Sequence, residues 1–259
     1  MDEIWRRRFG FRYKKMNRPV IAHSYEYRDG DRQSWHTHEQ AQFVFSLRGV
    51  LRVVTPIAVW SLGPRRGLWI GSGVAHELHA VGDVSMRSVY FEPEVSPWIG
   101  TDCRVLIVPA LLQELVATVV EMGVESDDER YSLVMPLLLK EMKDARSAAA
   151  ASLALPQDRR LRQVCEALIT DPANNEPLAN WGNRVGASER TLARLYREET
   201  GLTFVQWRQQ LRLVESMSRL AKGSSVAAVA SDLGYGNSSA FIAMFRKATG
   251  QTPQRYVKS

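Results

Sequence analysis

The sequence predicts a two-domain α+β protein, in which an N-terminal all-β barrel with a helical hairpin is followed by an all-α domain. Three observations predict this fold class. Residues 19–97 contain short runs rich in Val, Ile, Trp, Tyr and Phe, punctuated by glycines, as in sandwiches and barrels. From Pro109 onward the apolar residues recur with helical spacing. Residues 158–259 have helical patterns throughout and repeat one short plan twice.

Composition and charge are those of an ordinary globular protein. The 259 residues are 45% hydrophobic, which is sufficient for two cores. The longest stretch without a charged residue, Leu233–Phe245, is shorter than the roughly 20 residues of a spanning helix, so no membrane partner is expected. Two cysteines favour a reducing, cytoplasmic location. The net charge of +6 lies in residues 158–259, which favours a polyanionic partner for that region.

The β region contains five strand candidates. Gln42–Leu47 and Val50–Thr55 are interpreted as a hairpin that turns at Arg48–Gly49. The other expected strands are Ile57–Ser61, Gly67–Ile70 and Met86–Glu92.

Residues 109–144 predict a hairpin of two apolar helices. Its first helix places one set of apolar side chains on a single face: Leu112, Leu115, Val116, Val119 and Val120. Two alternatives remain open for this face, packing on the β region or pairing with a second copy of the chain. The hairpin is thus the candidate dimer element of an expected homodimer. Residues 145–157, rich in Ala, Ser and Leu, are expected to form a linker.

The C-terminal region repeats a helix-turn-helix plan at residues 178–197 and 226–247. Each copy has a short helix, a glycine suited to positive φ, a capping residue and a second helix that ends at Thr–Gly. The second helix of such a motif lies in the major groove of DNA. The helix expected between the copies, Thr203–Lys222, spans about 30 Å, close to the ~34 Å between successive major-groove faces. One chain is therefore expected to place two recognition helices on one side of a duplex.

This region resembles the AraC/XylS family of bacterial transcription regulators. The resemblance is carried by Gly-Ala-Ser-Glu-Arg-Thr-Leu-Ala-Arg-Leu at 186–195, Gly-Tyr-Gly-Asn-Ser-Ser-Ala-Phe-Ile-Ala-Met-Phe-Arg at 234–246 and Gly-Gln-Thr-Pro-Gln-Arg-Tyr at 250–256. It implies double-stranded DNA as a partner, with RNA polymerase as another if the protein is an activator. By position, the implied DNA-binding residues are Ser188, Glu189, Arg190, Ala193, Arg194, Arg197, Asn237, Ser238, Ser239, Ile242, Ala243, Arg246 and Lys247.

The two recognition helices differ in hydrogen-bonding capacity. Arg190 and Arg194 lie one turn apart on one helix face, and arginine is the usual reader of guanine. Contact with phosphate or solvent alone is the alternative for these arginines. Ile242 and Ala243 leave the second helix to contact thymine methyl groups or only the DNA backbone.

Histidines in the β region form a second motif. The pattern Gly30-x5-His36-Thr-His38-x3-Gln42-x6-Gly49 resembles the first cupin motif, with Gln42 where a metal-binding Glu is expected. Gly71-Ser-Gly73-Val-Ala-His76 resembles the second, with Gly71 in place of a Pro. The resemblance implies a cupin-like sensor barrel whose effector-binding residues are His36, His38, Gln42, His76, Trp35, Phe45 and Trp69.

Three interpretations of the histidines remain open. Imidazole and amide ligands at His36, His38, Gln42 and His76 would suit a divalent transition metal. Without a carboxylate, the same side chains could instead line a metal-free polar pocket for a small-molecule effector. A structural role is the third interpretation. No cofactor is required by the sequence.

Together these features predict a ligand-responsive transcription regulator and not an enzyme. The alternative is a cupin metalloenzyme, an oxygenase or isomerase that carries a DNA-binding domain. A third hypothesis is an architectural DNA-binding protein that needs no ligand. The expected organisation is listed by residue number: 1–18 basic extension, 19–108 sensor barrel, 109–144 helical hairpin, 145–157 linker and 158–259 DNA-binding domain. Residues 1–15 are either a misassigned extension before Met16 or an arm that contacts DNA.

Overall fold

The computed structural model describes residues 18–95, 102–123, 128–147 and 152–258. The chain divides into two compact units, one of Met1–Thr55 with Leu62–Ala148, the other of Pro56–Ser61 with Ala149–Ser259. Each unit has its own hydrophobic cluster. The predicted basic extension lies, except for Arg18, outside the described residues.

Antiparallel strands form the framework of the first unit. The strands of the described residues are β1 (Val20–Tyr27), β2 (Arg32–His36), β3 (Ala41–Val54), β4 (Ala58–Leu62), β5 (Arg66–Ile70), β6 (His76–Phe91), β7 (Arg104–Ile107) and β8 (Ser152–Ala154). In the first unit β6 pairs with β1, β2 and β3, while β5 pairs with β3 and β7. This confirms the antiparallel β domain. The pairings among the described residues do not form a closed ring, so the predicted barrel is not confirmed.

Strand β3 corrects the predicted hairpin at Arg48–Gly49. It continues through these residues, and its register against β6 shifts on both sides of Arg48. Gly49 has φ +76°, and a Cβ there would lie 2.4 Å from the carbonyl oxygen of Asp83. Gly49 therefore permits a β-bulge and a close approach to the β6 backbone, not a reversal of the chain.

The helical hairpin packs on the sheet of the first unit. Its helices are α1 (Ala110–Met122) and α2 (Asp128–Asp144), and a short 3₁₀ turn, Pro93–Val95, lies earlier in the chain. Leu112, Leu115, Val116 and Val119 are buried in one cluster with the sheet residues Phe43, Phe45 and Trp69. The apolar face of α1 thus packs on the β region, which was the first of the two alternatives. Large apolar side chains that remain exposed on the hairpin are Leu111, Leu133 and Leu137.

Helices dominate the second unit. They are α3 (Arg159–Thr170), α4 (Leu178–Val185), α5 (Glu189–Thr200), α6 (Phe204–Ala221), α7 (Val226–Asp232), α8 (Ser238–Thr249) and α9 (Pro253–Lys258). The unit also contains β8, which pairs with β4, so part of the expected linker forms a strand. Leu153 of β8 is buried in the helical core, and the Trp207 indole N–H donates to the Ala154 carbonyl at 2.8 Å.

The turns of both helix-turn-helix motifs have the predicted chemistry. Gly186 ends α4 in the left-handed conformation, at φ +67°, and the Ser188 hydroxyl accepts a hydrogen bond from Thr191 N–H at the start of α5. Asn237 caps α8 through Ala240 N–H in the same way. These local signals place both recognition helices as expected. None of the helices in the described ranges has the length and apolarity to cross a bilayer.

Candidate functional site

Three imidazoles converge in the first unit. His36 ends β2, His76 begins β6 and His38 lies between β2 and β3. Their ring centroids are 4.2 Å apart for His36–His76, 5.1 Å for His38–His76 and 5.8 Å for His36–His38. One ring nitrogen of each lies within 4.8 Å of the others. His38 and His76 are buried, whereas His36 is half-buried, so His36 is the member that meets solvent.

A main-chain carbonyl two residues away orients each imidazole. The Nδ1–carbonyl pairs are His36 with Ser34 at 2.8 Å, His38 with Gln40 at 2.6 Å and His76 with Val74 at 2.8 Å. Since a carbonyl only accepts, each neutral ring carries its proton on Nδ1 and its lone pair on Nε2. Each of the three rings therefore has its lone pair on Nε2.

Burial keeps these rings neutral. Desolvation lowers the pKa of His36 and of His38 below the usual value for histidine. The pKa of His76 falls to about 3, because burial is reinforced by repulsion from the other two imidazoles. The Nε2 atoms are thus unprotonated near neutral pH. That of His36 lies 3.3 Å from the side-chain amide nitrogen of Gln33, which can donate to it.

Gln42, at 0% exposure on β3, joins the cluster to β6. Its amide oxygen lies 3.2 Å from His38 Nε2 and 3.0 Å from His76 Nε2. Its amide nitrogen donates to the hydroxyls of Ser88 at 2.8 Å and Tyr90 at 3.1 Å. Within this arrangement the amide oxygen and the two imidazole nitrogens all offer lone pairs, which suits a cation held between them.

The opposite amide orientation satisfies the same groups without a cation. A rotation of the Gln42 amide by about 180° would point its two N–H donors at His38 and His76. The amide oxygen would then accept from the hydroxyls of Ser88 and Tyr90. The cluster can consequently hold either a cation or an internally paired amide, and the two states differ at Gln42.

The predicted aromatic residues do not join this cluster. Trp35 is 48% exposed, and Phe45 and Trp69 are buried in the core beneath the helical hairpin. Side chains alternate along a strand, so Phe45 lies on the opposite face of β3 from Gln42. Trp69 pairs in register with Phe43 and shares that opposite face.

Sequence reasoning missed Ser88 and Tyr90. In the sheet, Gln42 pairs in register with Tyr90, and Val44 with Ser88. The signal that could have found them is the two-residue spacing of Ser88 and Tyr90, which places both hydroxyls on one face of β6.

The recognition helices carry the second group of predicted residues. Leu192, Leu195 and Tyr196 of α5 and Phe241 and Phe245 of α8 are buried. The predicted DNA-binding residues that are exposed are Ser188, Glu189, Arg190, Arg194, Arg197, Asn237, Ser239, Ala243, Arg246 and Lys247, and those that are partly buried are Ala193, Ser238 and Ile242. Most of the predicted residues thus lie on the exposed surface of the two helices, whereas Ala193 packs against the core. The sequence did not single out Glu198, which forms an ion pair with Arg194 one turn away.

Comparison with known proteins identifies two matching family models. The AraC-like ligand binding domain matches residues 18–157, and a helix-turn-helix domain matches residues 181–259. The former covers more than half of the chain.

Individual relatives agree with these matches. The HTH-type transcriptional regulator NimR of Escherichia coli (strain K12) is 32% identical over 222 residues, which are 86% of this chain and 81% of NimR. RipA of Corynebacterium glutamicum is 34% identical over 39% of this chain and 31% of its own. The arabinose operon regulatory protein of E. coli is 28% identical over 48% of this chain and 42% of its own. The chain belongs to the AraC family of DNA-binding transcription regulators and carries an N-terminal ligand-binding domain.

Proposed function

We propose that the regulator binds a small-molecule effector at His36, His38, Gln42 and His76, and that occupancy of this site changes DNA binding or transcription. The observation that carries the proposal is the buried polar cluster inside the unit that matches the ligand-binding model. Burying polar groups opposes folding unless each is paired. A concentration of such groups is therefore better explained by binding than by stability. The effector would act by shifting the population of two states of the regulator.

The chemistry of the cluster favours one class of effector. Its three Nε2 atoms offer lone pairs, and burial keeps the rings uncharged. A compound with hydrogen-bond donors or a positive charge therefore fits better than an anion. His36, half-buried, is the side chain at which such a compound would first make contact.

A thermal-shift screen of donor-bearing and cationic organic compounds tests this proposal. His36→Ala removes one member of the cluster, and His79→Ala is its control, because His79 also lies on the sheet but pairs with Glu77. A true effector should stabilise the wild type and His79→Ala, but not His36→Ala, and should change the affinity for DNA. Equal stabilisation of all three proteins would place its binding elsewhere.

A divalent transition metal is a second candidate occupant of the same residues. The observation that favours it is the orientation of all three rings by main-chain carbonyls, which is how proteins commonly hold metal-binding histidines. His36, His38 and His76 would contribute Nε2, and Gln42 its amide oxygen. The metal would supply a positive charge and coordination positions for an effector.

Metal content of the purified, untagged protein tests this second candidate. About one equivalent per chain in the wild type, absent from His36→Ala and retained in His79→Ala, would support the site. Metal at equal levels in all three proteins would refute it. A metal-bound site that turned over a compound would instead favour the metalloenzyme alternative.

For the DNA interface, we infer base contacts by Arg190 and Arg194 of α5. The residues of α8 would contribute mainly contacts to thymine methyl groups and the DNA backbone, since Ile242 and Ala243 cannot hydrogen-bond through their side chains. Arg194→Ala should lower affinity for a cognate site far more than for random DNA. An equal loss on both would assign Arg194 to phosphate.

The remaining partners follow from the proposed role. The regulator would act in the cytoplasm, where bacterial DNA is located, and would contact RNA polymerase if it activates transcription. We infer a homodimer that forms through the helical hairpin. The exposed Leu133 and Leu137, one turn apart on α2, support this inference.

A further inference from the structure

The loop between α3 and α4 is held by one buried arginine of α6. Arg212 is 7% exposed. Its Nε donates to the Pro172 carbonyl at 2.8 Å, and its Nη2 donates to the carbonyls of Ala173 and Asn174, each at 3.2 Å. Nη2 also lies 3.0 Å from the side-chain oxygen of Asn175. One guanidinium thus fixes four consecutive residues that lead into the first helix-turn-helix motif.

The same loop contacts the turn of the second motif. The Asn175 side-chain amide donates to the Gly234 carbonyl at 3.3 Å. Gly234, at φ +72°, approaches the loop so closely that a Cβ would lie 2.5 Å from the Ala173 carbonyl oxygen. The Tyr235 ring lies 5.5 Å from the Arg212 guanidinium. Arg212 therefore connects α6, the approach to the first motif and the turn of the second.

This connection bears on DNA because two recognition helices must match two grooves. Inserting one base pair between two groove segments moves them apart by about 3.4 Å. It also rotates one segment relative to the other by roughly 35° about the duplex axis. Helix α6 separates the two motifs, and both pack with it in one hydrophobic cluster. A polar connection between the motifs adds a directional restraint on their relative rotation.

We propose that Arg212 is a positioning residue that sets the register between the two recognition helices, and thereby the spacing of the DNA segments that the protein accepts. The inference rests on the proposed DNA interface, in which α5 and α8 both contact DNA. Arginine suits this role because its planar fork carries five N–H donors in fixed directions. Lysine keeps the charge but has a single nitrogen, which cannot replace donors at both Nε and Nη2.

The test compares spacing preference between variants of the full chain. A binding site is selected from random duplex DNA with the wild-type protein, and its contacted grooves are mapped by footprinting. Fluorescence anisotropy then gives the Kd for this site and for sites with one base pair inserted or removed between the contacted segments. Arg219→Lys is the matched control, since Arg219 lies on the same helix and pairs with Asp232.

We expect the wild type and Arg219→Lys to bind the altered sites about 30-fold more weakly than the selected site, and Arg212→Lys no more than about fivefold more weakly. If Arg212→Lys bound the altered sites as weakly, relative to the selected site, as the wild type does, the proposal would be overturned. The same holds if Arg219→Lys lost this discrimination as fully as Arg212→Lys. If Arg212→Lys does not fold, as judged by circular dichroism, Asn175→Ala, at an exposed position, takes its place. If Asn175→Ala then loses as much affinity for the altered sites as the wild type does, the proposal is overturned in the same way. If the wild-type protein protected only one groove segment in the footprint, the two-helix interface itself would be refuted, and the inference with it.

Discussion

Replacing Gln42 by leucine measures how strongly the histidine cluster depends on one amide. Leucine has a similar volume, so the change removes hydrogen bonds with little change in packing. The Gln42 amide has four partners, His38, His76, Ser88 and Tyr90, at 2.8–3.2 Å. The two hydroxyls can turn toward other acceptors, but the two imidazole nitrogens have fixed directions. With the amide rotated so that its N–H groups donate to both imidazoles, the substitution leaves two buried acceptors unpaired. At about 1–3 kcal/mol for each, the expected loss is about 2–6 kcal/mol in the free energy of unfolding.

Unfolding in urea, monitored by hydrogen exchange in peptides from β3 and β6, measures this loss. Because the chain has two units, a whole-chain signal would mix two transitions, whereas these peptides report the first unit alone. Gln33→Leu is the matched control, since Gln33 is half-buried and its side chain contacts His36 at 3.3 Å. We expect the control to lose less than about 1 kcal/mol. If Gln42→Leu were as stable as the wild type, or no less stable than the control, the view of Gln42 as the centre of the cluster would be refuted.

Three further predictions concern metal, assembly and DNA. Gln42→Glu should tighten binding of a divalent transition metal about tenfold or more in calorimetric titration, because a carboxylate replaces a neutral ligand; unchanged affinity would mean that Gln42 is not a ligand. Leu133→Glu combined with Leu137→Glu should yield monomers by light scattering, and a persistent dimer would place the interface elsewhere. Glu198→Gln should tighten DNA binding about twofold by anisotropy, because it frees Arg194 and removes a negative charge near phosphate; unchanged binding would count against contact between Arg194 and DNA.

The parts that could be predicted from the sequence depend on local chemistry. A glycine that ends a helix and a side chain that caps the next one act within a few residues, so Gly186, Ser188 and Asn237 had the expected roles. Gly49 shows the limit of the same reasoning. Its positive φ was foreseeable, but a turn and a bulge both use it, and the choice depends on the distant Asp83 backbone.

The histidine cluster could be predicted only in part, for a similar reason. The spacing of His36, His38 and Gln42 is local, and it predicted side chains that the structure brings together with His76. Ser88 and Tyr90 depend on the register of β6 against β3, which the sequence does not state. Arg212 carries no local signal either, because its acceptors lie about 40 residues earlier in the chain.

Gln42 and Arg212 have related physical roles in the two units. Each is a buried polar side chain with four hydrogen-bonding partners. Such bonds add little net stability, since water would satisfy the same groups in the unfolded chain, but any arrangement that breaks them is penalised. These residues therefore select among arrangements of the surrounding segments. The Gln42 amide has one orientation that a bound cation would satisfy and another that needs no cation, whereas the contacts of the Arg212 fork define a single orientation. The ligand-binding unit is thus suited to change state, whereas the DNA-binding unit is suited to keep its register.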